Sequence, residues 1–123
     1  LYTLGILFHN SHYEKTALQM LNHVIPNIDY GSAFSNWLNL WMNLSTDNKE
    51  LAVCGADAIA GIKAVQQQYL PHVVLAGSTS PSKIPFLQNR FDEKDTLFYI
   101  CENRNCQLPV RELTTALDEL AIK

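Results

Sequence analysis

Apolar positions in the first part of the chain recur at helical spacing. Leu1, Leu4 and Phe8 stand at i, i+3 and i+7, which predicts a helix over about residues 1–10. Ser11-His12-Tyr13-Glu14 has the form of a capping box: the Ser11 hydroxyl takes an orphan N–H and Glu14 reaches back to the cap. The helix that follows carries Ala17, Leu18, Leu21, Val24 and Ile25 on one face, and Pro26 stops it. Ser32 is placed as the N-cap of a third helix. That helix bears Phe34, Trp37, Leu38, Trp41 and Leu44 as a wide aromatic stripe, so it is expected to pack against a large surface.

The polar run Ser45-Thr46-Asp47-Asn48-Lys49-Glu50 marks a change of pattern. Residues 51–54 are a short apolar run ending at Gly55, read as a buried strand. Ala58, Ile59, Ile62, Val65 and Tyr69 return to helical period until Pro71, and residues 73–76 form a second apolar run ending at Gly77. Strand, helix, strand implies a parallel pair with a right-handed crossover. Residues 78–83 read as a loop and 84–91 as holding one helical turn. Residues 96–101 are rich in β-formers, residues 102–105 make a turn, and residues 106–108 return as a short fourth strand. Leu113, Leu117 and Leu120 then give a terminal helix. The expected fold class is α plus α/β. A helical segment spans residues 1–45, and a small three- or four-stranded α/β unit with a C-terminal helix spans 51–123. Each part is small, so each is expected to need a partner surface.

Composition removes several classes of function. Apolar residues make up 47% of the 123, enough for a packed core and against disorder. The net charge is -3, without the basic excess of a nucleic-acid binder. The longest apolar runs fall far short of the ~20 residues that a membrane helix needs. The chain opens on Leu1 in an apolar helical pattern, without the features of a signal peptide. That reads as a piece of a longer polypeptide, with self-association of the fragment as a consequence.

Candidate chemistry is sparse. Gly55-Ala56-Asp57 follows the first strand but lacks the glycine patterns of a phosphate-binding loop, and it reads as a strand-to-helix turn with Asp57 as N-cap. His9, His12, His23 and His72 form no metal-binding pattern and read as surface or loop histidines. Ser78-Thr79-Ser80 reads as an ordinary loop, and Asp92, Glu93, Lys94 and Asp95 as a solvated turn. No metal site and no cofactor are expected. Cys101 and Cys106 are more informative, because they flank a turn between two antiparallel segments. Cross-strand neighbours lie within the range of a disulfide. The pair is open to three readings: packed thiols, a reversible disulfide, or a metal site borrowing ligands from elsewhere. The adjacent charges, Glu102 and Arg104, roughly cancel, so strong thiol activation is not implied. With Cys54 the count is odd, which argues against a secreted disulfide framework and for the cytoplasm.

The run Thr-Leu-Phe-Tyr-Ile-Cys-Glu-Asn-Arg-Asn-Cys-Gln-Leu-Pro-Val over residues 96–110 resembles the C-terminal end of the thioredoxin-domain-containing family of the spermatogenesis-associated protein 20 type. That ending has an aromatic-apolar strand, then Cys-x4-Cys-Gln-x-Pro, then a Leu-rich helix. Residues 51–55 and 72–77 are similar to two strands of the family's small α/β segment, and residues 13–21 and 31–44 to its last toroid helices. The resemblance implies a long parent with an N-terminal thioredoxin-like domain and an (α/α)6, six-hairpin-glycosidase-like toroid. This chain would hold only the closing helices, residues 1–45, and the α/β segment.

Three functions compete. The first is a non-catalytic C-terminal part that packs on the remainder of its own parent chain, a parent that acts on carbohydrate; Trp37 and Trp41 would then be candidates for sugar stacking. The second is a redox-active module using Cys101 and Cys106. The third is a free-standing small-ligand-binding α/β module using the strand ends near Gly55 and Gly77. No nucleic-acid or membrane partner is expected.

Overall fold

In the computed structural model, residues 1–121 are described, and the chain divides into two compact units, Leu1–Asp47 and Asn48–Lys123. The fold is α plus β, with five helices and a four-stranded mixed sheet among the described residues.

The first unit holds α1 (Tyr2–Leu7), α2 (Ser11–Val24) and α3 (Ser35–Ser45). His9 takes a left-handed conformation, φ 49°, between α1 and α2. Gly5 permits the close approach of the two: a Cβ there would lie 2.5 Å from Glu14 Cγ. The cap of α2 is Asn10 rather than the expected Ser11. The Asn10 side-chain oxygen accepts from the N–H groups of His12 and Tyr13 at 3.0 and 3.3 Å. Asn and Ser are equally good caps, and it is Asn10 that holds the extended backbone a cap requires. Pro26 falls in a tight 3-10 turn, Ile25–Asn27, immediately after α2. Ser32 does not cap α3: it lies inside a second 3-10 turn, Gly31–Phe34, and the α-helix begins at Ser35. Such turns commonly lead into helices. Ile6, Ala17 and Leu21 are the buried apolar side chains of this unit among the described residues, and α3 buries none.

The second unit is built on β1 (Lys49–Cys54). Between β1 and β2 (Val73–Ser78) runs α4 (Ala58–Gln66); then come β3 (Leu97–Glu102), β4 (Asn105–Cys106) and α5 (Leu113–Leu120). The sheet order is β2-β1-β3-β4, with β1 parallel to β2 and antiparallel to β3. The fourth strand ends at Cys106, Gln107 N–H still donates to the Ile100 carbonyl at 3.0 Å, and Val110 rejoins β3 through a bridge to Phe98. Successive strand residues point to opposite faces. Leu51, Val53, Phe98 and Ile100 face a core completed by Ala58 and Val65 of α4 and Ala116 and Leu120 of α5. Glu50, Ala52 and Cys54 point the other way and are also buried.

His72 corrects the expectation of a surface histidine. It is buried, and its Nε2–H donates to the Leu120 carbonyl at 2.8 Å. The Lys49 ammonium donates to the Glu119 carbonyl beside it. Together they occupy the C-terminal carbonyls of α5, which have no partner inside the helix, and place a positive charge where the helix dipole favours one.

Asp57 stands at the N-cap position of α4, but no cap bond from its side chain occurs. Its N–H instead donates to Thr96 Oγ1 at 3.0 Å. Gly55 allows this junction: its φ is 146°, and a Cβ would come within 2.5 Å of Thr96 Cα. Gly55→Ala is therefore expected to lower stability by at least about 1–3 kcal/mol, the cost of holding a side-chain-bearing residue at such a φ. A urea-unfolding midpoint reads this directly; an unchanged midpoint would contradict the packing at Thr96.

Candidate functional site

The site forms at the β3–β4 turn. Asn103 and Arg104 have φ of 50° and 66°, both left-handed, as a two-residue I′ hairpin loop requires. Asn adopts this region readily, and the turn fixes the register: Glu102 opposes Asn105 and Cys101 opposes Cys106. The two cysteines are joined as a disulfide, with Sγ atoms 2.05 Å apart and Cα atoms 3.9 Å apart. Of the three readings of the pair, this structure presents the disulfide. Cys101 is buried, whereas Cys106 is on an exposed strand.

The decisive neighbour is Arg90, which arrives from the segment between β2 and β3. Its Nη1 donates to Cys101 Sγ at 3.3 Å and its Nη2 to Cys106 Sγ at 3.1 Å. The guanidinium carbon lies 5.0 Å from the Phe86 ring centroid and 5.2 Å from that of Tyr99, within cation–π range of both. The Tyr99 hydroxyl donates to the Arg90 carbonyl at 3.1 Å. Charge, fork and backbone are thus all held. This corrects the expectation from local charges, in which Glu102 and Arg104 cancel around the sulfurs. Arg90 stands 11 and 16 residues away in the chain, and no spacing rule links it to the cysteines. In the sequence Arg90 falls within residues 84–91, read only as holding one helical turn.

The surrounding electrostatics follow from burial. Burial pushes the Arg90 guanidinium below its usual value, while Cys54, Tyr99 and Glu50 hold it up. Burial pushes the Cys54 thiol up, against the Arg90 charge and a backbone hydrogen bond at Ser78. Burial also raises Tyr99, with the charge of Arg90 opposing.

Beside the disulfide lies a cleft of ≈ 390 Å³, lined by both cysteines together with Lys49, Asn103, Asn105 and Gln107 among others. In the helical unit Trp37 lines a separate cleft of ≈ 340 Å³ with Asn36, Asn39 and Asn43. Trp41 lies outside that lining and is exposed, so the two tryptophans do not share the cleft. Ser78, the last residue of β2, and Ser80 of the following loop bond one another. Among the described residues, no group of three or more His, Cys, Asp or Glu is placed to hold a metal, and no helix is long and apolar enough to cross a membrane. In comparison with known proteins, the chain matches no family model, no curated protein and no solved structure.

Three outcomes follow. The Cys101–Cys106 link spans a sequence separation of 5. By loop-closure entropy so short a link contributes about 2 kcal/mol, against about 4.7 for a 100-residue loop. Reduction should therefore leave the sheet folded, lowering stability by no more than that amount in urea unfolding. Cys54, buried with a raised thiol value, should resist alkylation by iodoacetamide in the native protein and react after unfolding. Its folded thiol keeps its proton longer than the unfolded one. Stability should thus fall as pH rises past its ordinary 9.0, with a shallower slope in Cys54→Ala.

Proposed function

We propose that this chain is the C-terminal, non-catalytic part of a larger thioredoxin-domain-containing protein with a six-hairpin-glycosidase-like toroid, and that its helical unit packs on the remainder of that parent. One observation carries the proposal: the stripe Phe34, Trp37, Leu38, Trp41 and Leu44 runs from the turn before α3 along that helix, yet none of its residues is fully buried. Trp41 is 42% exposed and Met42 39%, and on α1 Leu4 remains 45% exposed. Apolar surface of this kind favours burial by roughly 25 cal/mol per Å², and contiguous exposed patches mark interaction surfaces. A toroid's neighbouring helices would cover it. The Trp37 cleft, with its asparagine amides, supports a parent that acts on carbohydrate, since an aromatic face and amide hydrogen bonds suit a sugar ring. A reducing cytoplasm is the proposed location, on the odd cysteine count.

A second reading rests on Arg90. A guanidinium that donates to both sulfurs favours their reduced, anionic form, so the pair supports a redox-active module within the same chain.

Sedimentation of the purified chain should show concentration-dependent self-association, together with binding of a hydrophobic dye. A monomer that binds no dye would contradict the missing partner. Assayed against a panel of oligosaccharides, the isolated chain should show no turnover; saturable hydrolysis would overturn the non-catalytic assignment.

A further inference from the structure

We propose that the cleft at the β3–β4 turn is a thiol–disulfide exchange site for a low-molecular-weight thiol bearing amide groups, with Cys106 as the attacked sulfur, Cys101 as the leaving sulfur and Arg90 holding the departing thiolate. This rests on the redox reading above and assigns its direction and substrate class.

Access decides the direction. Cys101 is 1% exposed, whereas Cys106, which also lines the cleft, lies on an exposed strand. An incoming thiolate can therefore reach Cys106 Sγ. Exchange passes through a mixed disulfide, and its rate depends on how well the leaving thiolate is stabilised. A thiolate at the buried Cys101 would be costly without a charge partner. Arg90 Nη1 already donates to that sulfur at 3.3 Å, and the ring contacts with Phe86 and Tyr99 keep it there. The arginine needs no movement when charge develops, which is the condition for electrostatic stabilisation of a reacting group.

The cleft sets the substrate class. At ≈ 390 Å³ it lies in the lower part of the small-ligand range. Asn103, Asn105 and Gln107 line it beside Lys49 and Glu102, and amide side chains can both donate to and accept from a peptide-like thiol.

The step balances. A thiolate RS⁻ attacks Cys106 Sγ; an RS–Cys106 bond forms, the Cys101–Cys106 bond breaks, and its electron pair passes to Cys101 Sγ beside Arg90. A second RS⁻ attacks the R sulfur, forming RS–SR and releasing the Cys106 thiolate, which takes a proton from water. Two small thiols are oxidised and one protein disulfide is reduced. The reverse sequence re-oxidises the pair with RS–SR.

The test treats the oxidised full chain with reduced glutathione, quenches with acid, alkylates, and locates the adduct by peptide mass spectrometry. The expected result is glutathione on Cys106 with Cys101 alkylated. Exchange should be at least tenfold slower in Arg90→Met, with partial recovery in Arg90→Lys; Tyr99→Phe, a milder change that frees the Arg90 carbonyl, should slow it less. Circular dichroism confirms that each variant is folded, and if Arg90→Met is not, Arg90→Lys and Tyr99→Phe carry the comparison. A pair that resists glutathione and also the strong dithiol dithiothreitol would overturn both the redox reading and this assignment. Reduction that leaves the adduct on Cys101, or that proceeds at the parent rate in folded Arg90 and Tyr99 variants, would overturn this assignment and leave the redox reading standing. Reaction with a protein dithiol but not with glutathione would overturn the substrate class.

Discussion

The second unit depends on one strand being buried from both sides. From Glu50 to Cys54, β1 has no exposed residue, and hydrogen-bonded neighbours flank it on either edge. Its Leu51 and Val53 belong to the core that α4 and α5 complete. Its Glu50 and Cys54 lie on the face where Arg90 acts on them electrostatically. Burial on the first face supplies the apolar stabilisation that makes the sheet a fixed platform. Only on a fixed platform can a guanidinium be held within hydrogen-bond reach of two particular sulfurs, since a shift of an ångström or so would break both bonds.

A second constraint acts at the far edge of β3. A two-residue loop leaves no freedom of register, and a slip by one residue would turn the cysteines to opposite faces. The disulfide is therefore placed by the turn rather than by long-range closure. A bond that adds little to stability and lies at the edge of a cleft has room for a chemical role. By contrast, the helical unit has few fully buried side chains. Phe34, Trp37, Leu38 and Leu44 of its aromatic stripe are half-buried and Trp41 is exposed, so α3 buries no side chain completely.

Much of this was legible in the sequence because it is local. The run from Leu51 to Cys54, the helical recurrence of Ala58, Ile62 and Val65, and the Leu113, Leu117 and Leu120 spacing all follow from periodicity. The Cys-x4-Cys spacing already implied facing cysteines. What periodicity missed came from tertiary contacts. Asn10 takes the cap because its backbone, not that of Ser11, is extended. Asp57 is met by Thr96 from a distant segment. His72 is drawn inside by the free carbonyls at the end of α5. Arg90 was unreadable as part of the site for the same reason: its partners lie on another element, and stacking on Phe86 and Tyr99 is fixed only when the sheet forms. Arg90, which donates to both sulfurs, has no counterpart in the Cys-x4-Cys motif.

The second unit has a buried core around β1, whereas the helical unit has few buried side chains, and native-state hydrogen exchange measures that difference most directly. At low concentration, where self-association is suppressed, the amides of Leu51, Ala52, Val53 and Cys54 should open only with global unfolding, whereas those of α3 should exchange through local opening at far lower free energy. Protection of α3 equal to that of β1 would contradict the account.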